Sequence, residues 1–509
     1  MKVAIGIDVG TSGTRALVVD ASGRLMAQSS FPHSISHPRP SYSEQDPDEW
    51  WRAAGAAAKA AIESAGISPG DVAAVGLSGQ MHGLVMLDEK LEIIRPAILW
   101  NDQRSVAECD QIEKHFGRQR LLDVACNPAL AGFTAPKILW VAKNEPENRK
   151  RVRRILLPKD FVRYKLTGSF ATDVSDASGM LLLDIRRRDY WPEMLALLDL
   201  NPGVLPKLYE SPEVTGFVTD AAAKATGLAP GTPVVGGAGD QAAAAVGNGI
   251  VTGGAVSATI GTSGVIFAAI DRLLVDSPLG RAHTFCHAVP GKWHIMGVVL
   301  AAGGSYQWVR NNLAEIEKTE AAKRGVDVYE VLSEKALSAP AGCEGLVFLP
   351  YLTGERSPIN DAYARGGWIG LTARHTKAHL IRAVVEGATF AMRDCLEVVK
   401  GLGCPINEIR LSGGGAVSPL WRRVQAGIYN SPVSTLAVSE GSAYGAAILA
   451  MVGGAMYESV EEATKAVIKI ASRTNPDPAE AIVYEQMFPI YRRLYTQLKN
   501  EFRNLHALA

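Results

Sequence analysis

"MKVAIGIDVGTSGTRALVVD" (residues 1–20) and "AVSATIGTSGVIFAA" (255–269) carry the same tetrapeptide, Gly-Thr-Ser-Gly, between two short apolar runs. In the first, Val3, Ile5 and Ile7 alternate with small residues, and Ala16-Leu17-Val18-Val19 follows the turn. In the second, Ala258-Thr259-Ile260 leads in and Val265-Ile266-Phe267 leads out. Both patterns predict a strand, a Gly-rich turn and a second strand. Such a turn presents backbone N–H groups and hydroxyls that suit a phosphate. Either copy alone reads first as an ordinary hairpin. The pair predicts two related units that grip one polyphosphate from opposite sides.

The chain between and beyond the turns has the length for two such units. At 509 residues it exceeds one ordinary core, and its 47% hydrophobic and 20% charged content is that of a globular protein. A formal net charge of zero argues against nucleic acid or a membrane surface as the main partner. Basic runs such as "NRKRVRR" (148–154) are short and read as solvated edges. The six cysteines form no Cys-x-x-Cys pair and show no zinc spacing, which fits reduced thiols in a cytoplasm. Residues 1–20 read as strands rather than a signal peptide, and glycines break the charge-poor stretch 234–270 into pieces too short to span a membrane.

Strands and helices alternate along the chain, which predicts α/β units with helices around mostly central sheets. "QDPDEWWRAAGAAAKAAIESAG" (45–66) predicts a helix with Asp46 as N-cap, Pro47 at the first position and Gly66 as the stop. Further helices are expected over 134–147, 158–168, 376–403, 418–430 and 441–454. The last, 480–503, sets Tyr484, Phe488, Tyr491, Leu494, Leu498 and Phe502 on one stripe. The boundary between units falls near 245–255, giving 1–248 and 249–509.

Candidate chemistry sits at strand ends. Asp8 closes the first strand; it reads either as a turn-starting residue or as a carboxylate for hydrated Mg²⁺ beside a phosphate. Thr11, Ser12, Thr14 and Arg15 add hydroxyls and a cation on the same loop. Asp240 follows "GTPVVGGAG" and precedes "QAAAAVG". It reads as a helix N-cap or as a shielded carboxylate able to accept a sugar hydroxyl's proton, and the residues alone leave both open. Gly413-Gly414-Gly415, between a strand and a helix, lets a ligand approach the backbone. "SGQMHG" (78–83) and "LWNDQR" (99–104) offer His82, Asn101, Asp102 and Arg104 as groups that could hold a polyol, although a lone histidine is more often structural.

Together these residues resemble the FGGY carbohydrate kinases over nearly the whole chain. "GFTAPKILWVAKN" (132–144) and "GGWIGLTARHTKAHLIRAVVE" (366–386) are similar to that family's two signatures. "SEQDPDEWW" (43–51), "GQMHG" (79–83), "RPAILWND" (95–102), "LPKDF" (157–161) and "GERSP" (354–358) are similar to segments of the members that act on D-xylulose rather than glycerol. The resemblance implies two actin-like, ribonuclease-H-like domains, 1–248 and 249–509, with ATP and sugar in the cleft between them. It makes Asp240 the catalytic base and Asp8 the Mg²⁺-associated carboxylate, with Asp240 close to the same ion. It places sugar contacts on Met81, His82, Asn101, Asp102, Asp240 and Gln241. It assigns ATP to Thr11, Ser12, Thr14 and Arg15 of one hairpin, Gly261 and Thr262 of the other, and Gly413, Gly414 and Gly415. The activity implied is phosphorylation of D-xylulose at its 5-hydroxyl, with a homodimer as the family expectation.

Gln241 stands where some of those members have Asn, as it does in the members acting on glycerol. It offers the same amide on a longer arm, and keeps ribulose, glycerol or another polyol in view as substrate. A non-enzymatic sugar sensor on the same fold would lack one of the two carboxylates, and both Asp8 and Asp240 are present. A chaperone-type ATPase would need an added peptide-binding domain, for which residues after 454 leave room only for a few helices.

Overall fold

The computed structural model describes residues 2–438 and 440–508. Both predicted hairpins form. In the first half β1 (Val3–Val9), β2 (Gly13–Asp20) and β3 (Leu25–Pro32) make an antiparallel meander. On the other side of β1, β4 (Val72–Gly79) adds in parallel, then β6 (Pro233–Val235), with β5 (Val214–Phe217) antiparallel at the edge and β7 (Ala238–Gly239) also on β4. The second half repeats the scheme. Strands β8 (Gly254–Ile260), β9 (Gly264–Ile270) and β11 (Trp293–Val299) form the antiparallel side, with β10 (His283–Cys286) beyond β11. Strands β12 (Ile406–Gly413) and β13 (Val433–Leu436) run parallel on the other flank of β8, and β14 (Ile470–Thr474) closes that edge. The order is β5-β6-β4-β1-β2-β3 in one sheet and, read the same way, β14-β13-β12-β8-β9-β11-β10 in the other. This duplication is the ribonuclease-H-like arrangement in two copies, and each sheet is flanked by helices on its faces.

Local chemistry sets many of the helices. In α1 (Pro47–Ala65) the Asp46 side chain accepts from the Asp48 N–H at 3.0 Å, Pro47 occupies the first position, and Gly66 ends the helix at φ 63°. Its alanine face (Ala54, Ala57, Ala58, Ala61) is buried in the first core with Ile5, Ile7 and Val18. The stretch expected as one helix over 134–147 is instead α2 (Thr134–Asn144) and a short helix from Pro146, because proline cannot continue the ladder across Glu145. The others follow closely: α3 (Pro158–Thr167), α6 (Lys377–Gly401), α7 (Pro419–Tyr429) and α9 (Pro478–His506), which passes through Pro489. Tyr484, Phe488, Tyr491 and Phe502 of α9 join the second core as their spacing requires.

Two helices tie the halves together. α4 (Asp240–Gly247) and α8 (Gly441–Gly453) lie against each other, and α8 also lies along β1 and β4. The approach is possible only for glycine. A Cβ on Gly445 would stand 1.8 Å from the Ala243 carbonyl oxygen. Cβ atoms on Gly6 and Gly76 would stand 1.9 Å from the carbonyl oxygens of Ala443 and Ala446. A helix far along the chain is thereby pressed onto the first sheet, directly behind the end of β1.

Candidate active site

The strand ends converge at this junction. Asp8, near the end of β1, sits opposite Ser78 of β4. Its Oδ2 accepts from the Ser442 hydroxyl of α8 at 2.7 Å, while Oδ1 is buried with no hydrogen-bond partner. Burial raises the Asp8 pKa, opposed by the Ser442 and Ser78 hydroxyls and the Arg15 charge. Asp240 opens α4, and burial first, then the Asp8 charge, pushes its pKa up to about 7. The two carboxylates therefore feel each other's charge, and one buried oxygen of Asp8 is unsatisfied.

The helix-cap alternative for Asp240 does not hold. The N-cap of α4 is Gly239, which makes no side-chain cap, and Asp240 is the first helical residue. Its Oδ1 takes only the adjacent Gln241 N–H, at 2.7 Å, rather than a donor one turn ahead. The backbone before it is fixed from behind instead. The Gly239 N–H donates to Ser175 Oγ at 3.3 Å, and that hydroxyl donates to Asp173 at 2.5 Å. Asp173 is ion-paired to Lys159 at 2.8 Å, and Lys159 also reaches Asp160 at 2.7 Å and Asp176 at 3.3 Å, all with no exposed side-chain surface. This fully buried network holds the approach to Asp240 rigidly. Of its members, sequence reasoning caught only "LPKDF", as a likeness.

The second hairpin and the glycine run come together as expected. Ile260 is paired with Gly413 across β8 and β12. Gly413 has φ 72°, and a Cβ there would meet the Ile260 carbonyl oxygen at 2.5 Å; Gly415 packs on the Ile260 side chain. The turn rests on the start of α5 (Ala302–Leu313), where the Gly304 N–H donates to Thr262 O at 2.8 Å. Gly261 and Thr262 themselves are exposed.

On the first hairpin the side chains divide. Ser12 is exposed, and Arg15 pairs with Glu440 at 2.5 Å across the halves. Thr14 does not join them: it points into the sheet, buried, with its hydroxyl unpartnered, because alternate residues of a strand face opposite ways. The Thr11 hydroxyl is engaged by Trp100 Nε1 at 3.0 Å and by Gln80 at 3.3 Å, and its carbonyl by Gln45 at 2.7 Å. Thr11 thus braces the hairpin against the loops at 80 and 100. Trp100, Gln80 and Ser442 carried no local sequence signal for these contacts.

Met81 packs on Gly239, where a Cβ would stand 2.9 Å from Met81 Cγ, so the "GQMHG" loop abuts the start of α4. His82 holds φ 68°, unusual for a residue other than glycine. Its carbonyl accepts from Thr134 Oγ1 at 3.1 Å and Lys137 Nζ at 2.9 Å. Its ring Nδ1 meets the Gly179 carbonyl at 2.6 Å, so Nδ1 carries the proton and Nε2 is left as an acceptor. Burial lowers its pKa to about 3, so the ring is neutral. Asn101, on the loop at 100, is exposed, and Gln241 is half-buried. Asp102 departs from the expectation of a sugar contact. It is buried and accepts from the Ser43 N–H at 2.6 Å, the Arg104 N–H at 2.9 Å and the Arg104 guanidinium at 2.7 and 2.9 Å. Its lone pairs are spent on building the loop.

The Asp8–Asp240 pair also fits a divalent cation. Among the described residues no three His, Cys, Asp or Glu side chains converge as a metal cage. Mg²⁺ is characteristically held by one or two carboxylates, waters and substrate phosphates, which is the donor set that two half-satisfied carboxylates beside a phosphate-type turn provide. All six cysteines are free and buried, and among the described residues no helix is long and apolar enough to cross a membrane.

Comparison with known proteins agrees with this geometry. The model of the FGGY family of carbohydrate kinases matches twice, its N-terminal domain over residues 3–247 and its C-terminal domain over 256–454. A xylulose kinase of Escherichia coli is 39% identical over 97% of this chain and 99% of its own. A xylulose kinase of Bacillus subtilis is 36% identical over 98% of each. The crystal structure of the Rhodospirillum rubrum xylulose kinase superposes with a TM-score of 0.89 at 30% identity, covering 99% of this chain and 100% of the other.

Proposed function

Since the chain belongs to the FGGY family of carbohydrate kinases, we propose that it transfers the γ-phosphate of ATP to the 5-hydroxyl of D-xylulose. The whole-length likeness to xylulose kinases carries the substrate, and the Asp8–Asp240 junction carries the chemistry.

In this reading Asp240 takes the proton of the sugar hydroxyl as its oxygen bonds to the γ-phosphorus and the bond to the β–γ bridging oxygen breaks, releasing ADP. A base whose pKa lies near 7 is matched to that task at neutral pH. It is a carboxylate above that pH and a carboxylic acid below, so activity of the free protein rises through about 7. Phosphoryl transfer is mainly positioning and electrostatics. Gly261 and Thr262, exposed beside the Gly413–Gly415 crossing, orient the phosphates from the second half through the Thr262 backbone N–H and hydroxyl, and the Ser12 turn does so from the first. Asp8 and Asp240 would hold Mg²⁺, which when bound neutralises phosphate charge. Met81, His82 and Gln241 line the sugar side of Asp240. Because Arg15–Glu440 and Ser442–Asp8 bridge the halves, binding in the cleft is coupled to their relative position.

ADP release measured over D-xylulose, D-ribulose, L-ribulose, glycerol and xylitol tests the reading. Highest kcat/KM on D-xylulose, with phosphorus NMR placing the phosphate on C5, is expected. Preference for glycerol or a ribulose would overturn the substrate while keeping the reaction.

A further inference from the structure

Arg356 lies on the loop that follows Leu349, in the second half of the chain. Its backbone is pinned to the end of β11: the Ser357 N–H donates to Val298 O at 2.9 Å, and the neighbouring Glu355 carboxylate accepts from the Leu300 and Arg356 N–H groups, each at 2.8 Å. The Arg356 guanidinium is half-buried, yet among the described residues it has no ion pair and no side-chain hydrogen bond. Other shielded arginines are paired: Arg104 with Asp102 and Glu44, Arg163 with Asp160, Arg382 with Glu386 and Glu480. Withdrawing a guanidinium from water without a partner is costly, so such a group is expected to meet a ligand.

Its surroundings define which ligand. His283 of β10 is buried, and its Nδ1 lies 2.9 Å from Asn127 Oδ1. The Asn127 amide N–H groups are spent on the carbonyls of Ala125 and Thr284, so Oδ1 accepts and His283 Nδ1 carries the proton. His283 Nε2 is therefore a bare lone pair, buried and without a partner. His82 Nε2 is left bare by the same logic. The two rings pack on the same two phenylalanines: His82 on Phe133 at 4.7 Å and Phe285 at 6.4 Å between centroids, His283 on the same rings at 6.1 and 5.9 Å. β11, to which Ser357 is bonded at Val298, pairs with His283 opposite Met296, two residues along the strand, and the Arg356 charge acts on both histidines. Arg356 thus stands with the histidines, on the sugar side.

We propose that Arg356, with His82 Nε2 and His283 Nε2, forms the distal end of the sugar subsite and reads the α-hydroxyketone of an open-chain 2-ketose. The inference rests on the sugar pocket argued above and adds residues of the second half to it. The guanidinium donates to the C2 carbonyl oxygen, and the C1 hydroxyl donates to an imidazole lone pair. A carboxylate in that place would bring its own lone pairs against two bare nitrogens, so an aldonate fits worse than a ketose. A polyol lacks the carbonyl that Arg356 would hold.

The test compares D-xylulose with xylitol, the same carbon chain reduced at C2, in wild type and Arg356→Met. Values of kcat/KM are used, or dissociation constants by calorimetry where xylitol turnover is too slow. The variant should lose about 10- to 100-fold more on D-xylulose than on xylitol, the range for removing a charge-assisted hydrogen bond. Arg356→Gln, which keeps an amide donor, should recover part of that ratio, and it serves as the readout if the methionine variant does not fold. An unchanged ratio, in a wild type active on D-xylulose, overturns the assignment alone. A wild type that favours a polyol or D-xylonate overturns it together with the substrate reading.

Discussion

Replacing Gly445 by alanine should damage the fold and the chemistry together. The new Cβ would sit 1.8 Å from the Ala243 carbonyl oxygen, whereas real Cβ contacts stay beyond 3.0 Å, so α4 and α8 must separate by about 1.2 Å or more. The obstruction is backbone, which cannot swing aside as a long side chain would. Overpacking of this kind costs about 1–3 kcal/mol, here toward the upper end because the obstruction is backbone, against a helical gain of about 1 kcal/mol for removing a mid-helix glycine. At roughly 2–4 °C per kcal/mol for a unit of this size, a net loss of about 1–2 kcal/mol lowers the melting temperature by about 2–8 °C. The kinetic cost is larger. α4 begins with Asp240 and α8 carries Ser442, the donor to Asp8, so both carboxylates move with the helices. A misplacement of about 1 Å costs on the order of 10²-fold in rate. The assay is a thermal melt with steady-state kcat at saturating sugar and ATP. Gly367→Ala is the control, since a Cβ there meets nothing within 4 Å. Gly445→Ala with the control's melting temperature and kcat would refute the argument that close helix contact positions the site.

Three further outcomes follow from the same geometry. Asp240→Asn should be more stable than wild type at pH 8 by up to about 4 kcal/mol and equal to it near pH 4. The native pKa is raised from 3.8 to about 7, so the wild-type carboxyl contributes stability at low pH that is lost as pH rises through 7, at about 1.4 kcal/mol per unit, and the amide does not titrate; denaturant unfolding at both pH values measures it, and a gap independent of pH would contradict the shift. His82→Ala should raise KM for D-xylulose about tenfold with KM for ATP nearly unchanged, and a loss confined to ATP would remove His82 from the sugar side. Thr262→Val, nearly isosteric and exposed, should raise KM for ATP or lower kcat several-fold without moving the melting temperature; wild-type kinetics would return the second turn to an ordinary hairpin.

The parts legible in the sequence were those fixed locally. Strand–turn–strand alternation placed both Gly-Thr-Ser-Gly hairpins, and Asp46, Pro47 and Gly66 bounded a helix to the residue, because caps and turns depend on neighbours a few positions away. Asp240 stands out as a charged residue in Gly-rich, apolar surroundings, and Asp8 as the carboxylate that closes the first strand. What they bond to was not legible. Ser442 reaches Asp8 from 434 positions away, and Lys159 pairs with Asp173 and Asp176 across a turn into other elements. Thr14 lies next to the loop in sequence, but strand parity turns it inward, opposite Arg15. Asp102 looked like a ligand group because Arg104, two residues on, gave no hint that it would take most of its lone pairs.

Asp240 as the proton acceptor is tested most directly by kcat of Asp240→Asn at saturating D-xylulose and ATP. The amide keeps the shape, and the Ser175–Asp173–Lys159 network that fixes Gly239 is untouched. A folded variant should therefore bind ATP with near wild-type affinity and lose about 10²–10⁴-fold in kcat, the range for removing a general base. A folded Asp240→Asn retaining most of its kcat would contradict the mechanism.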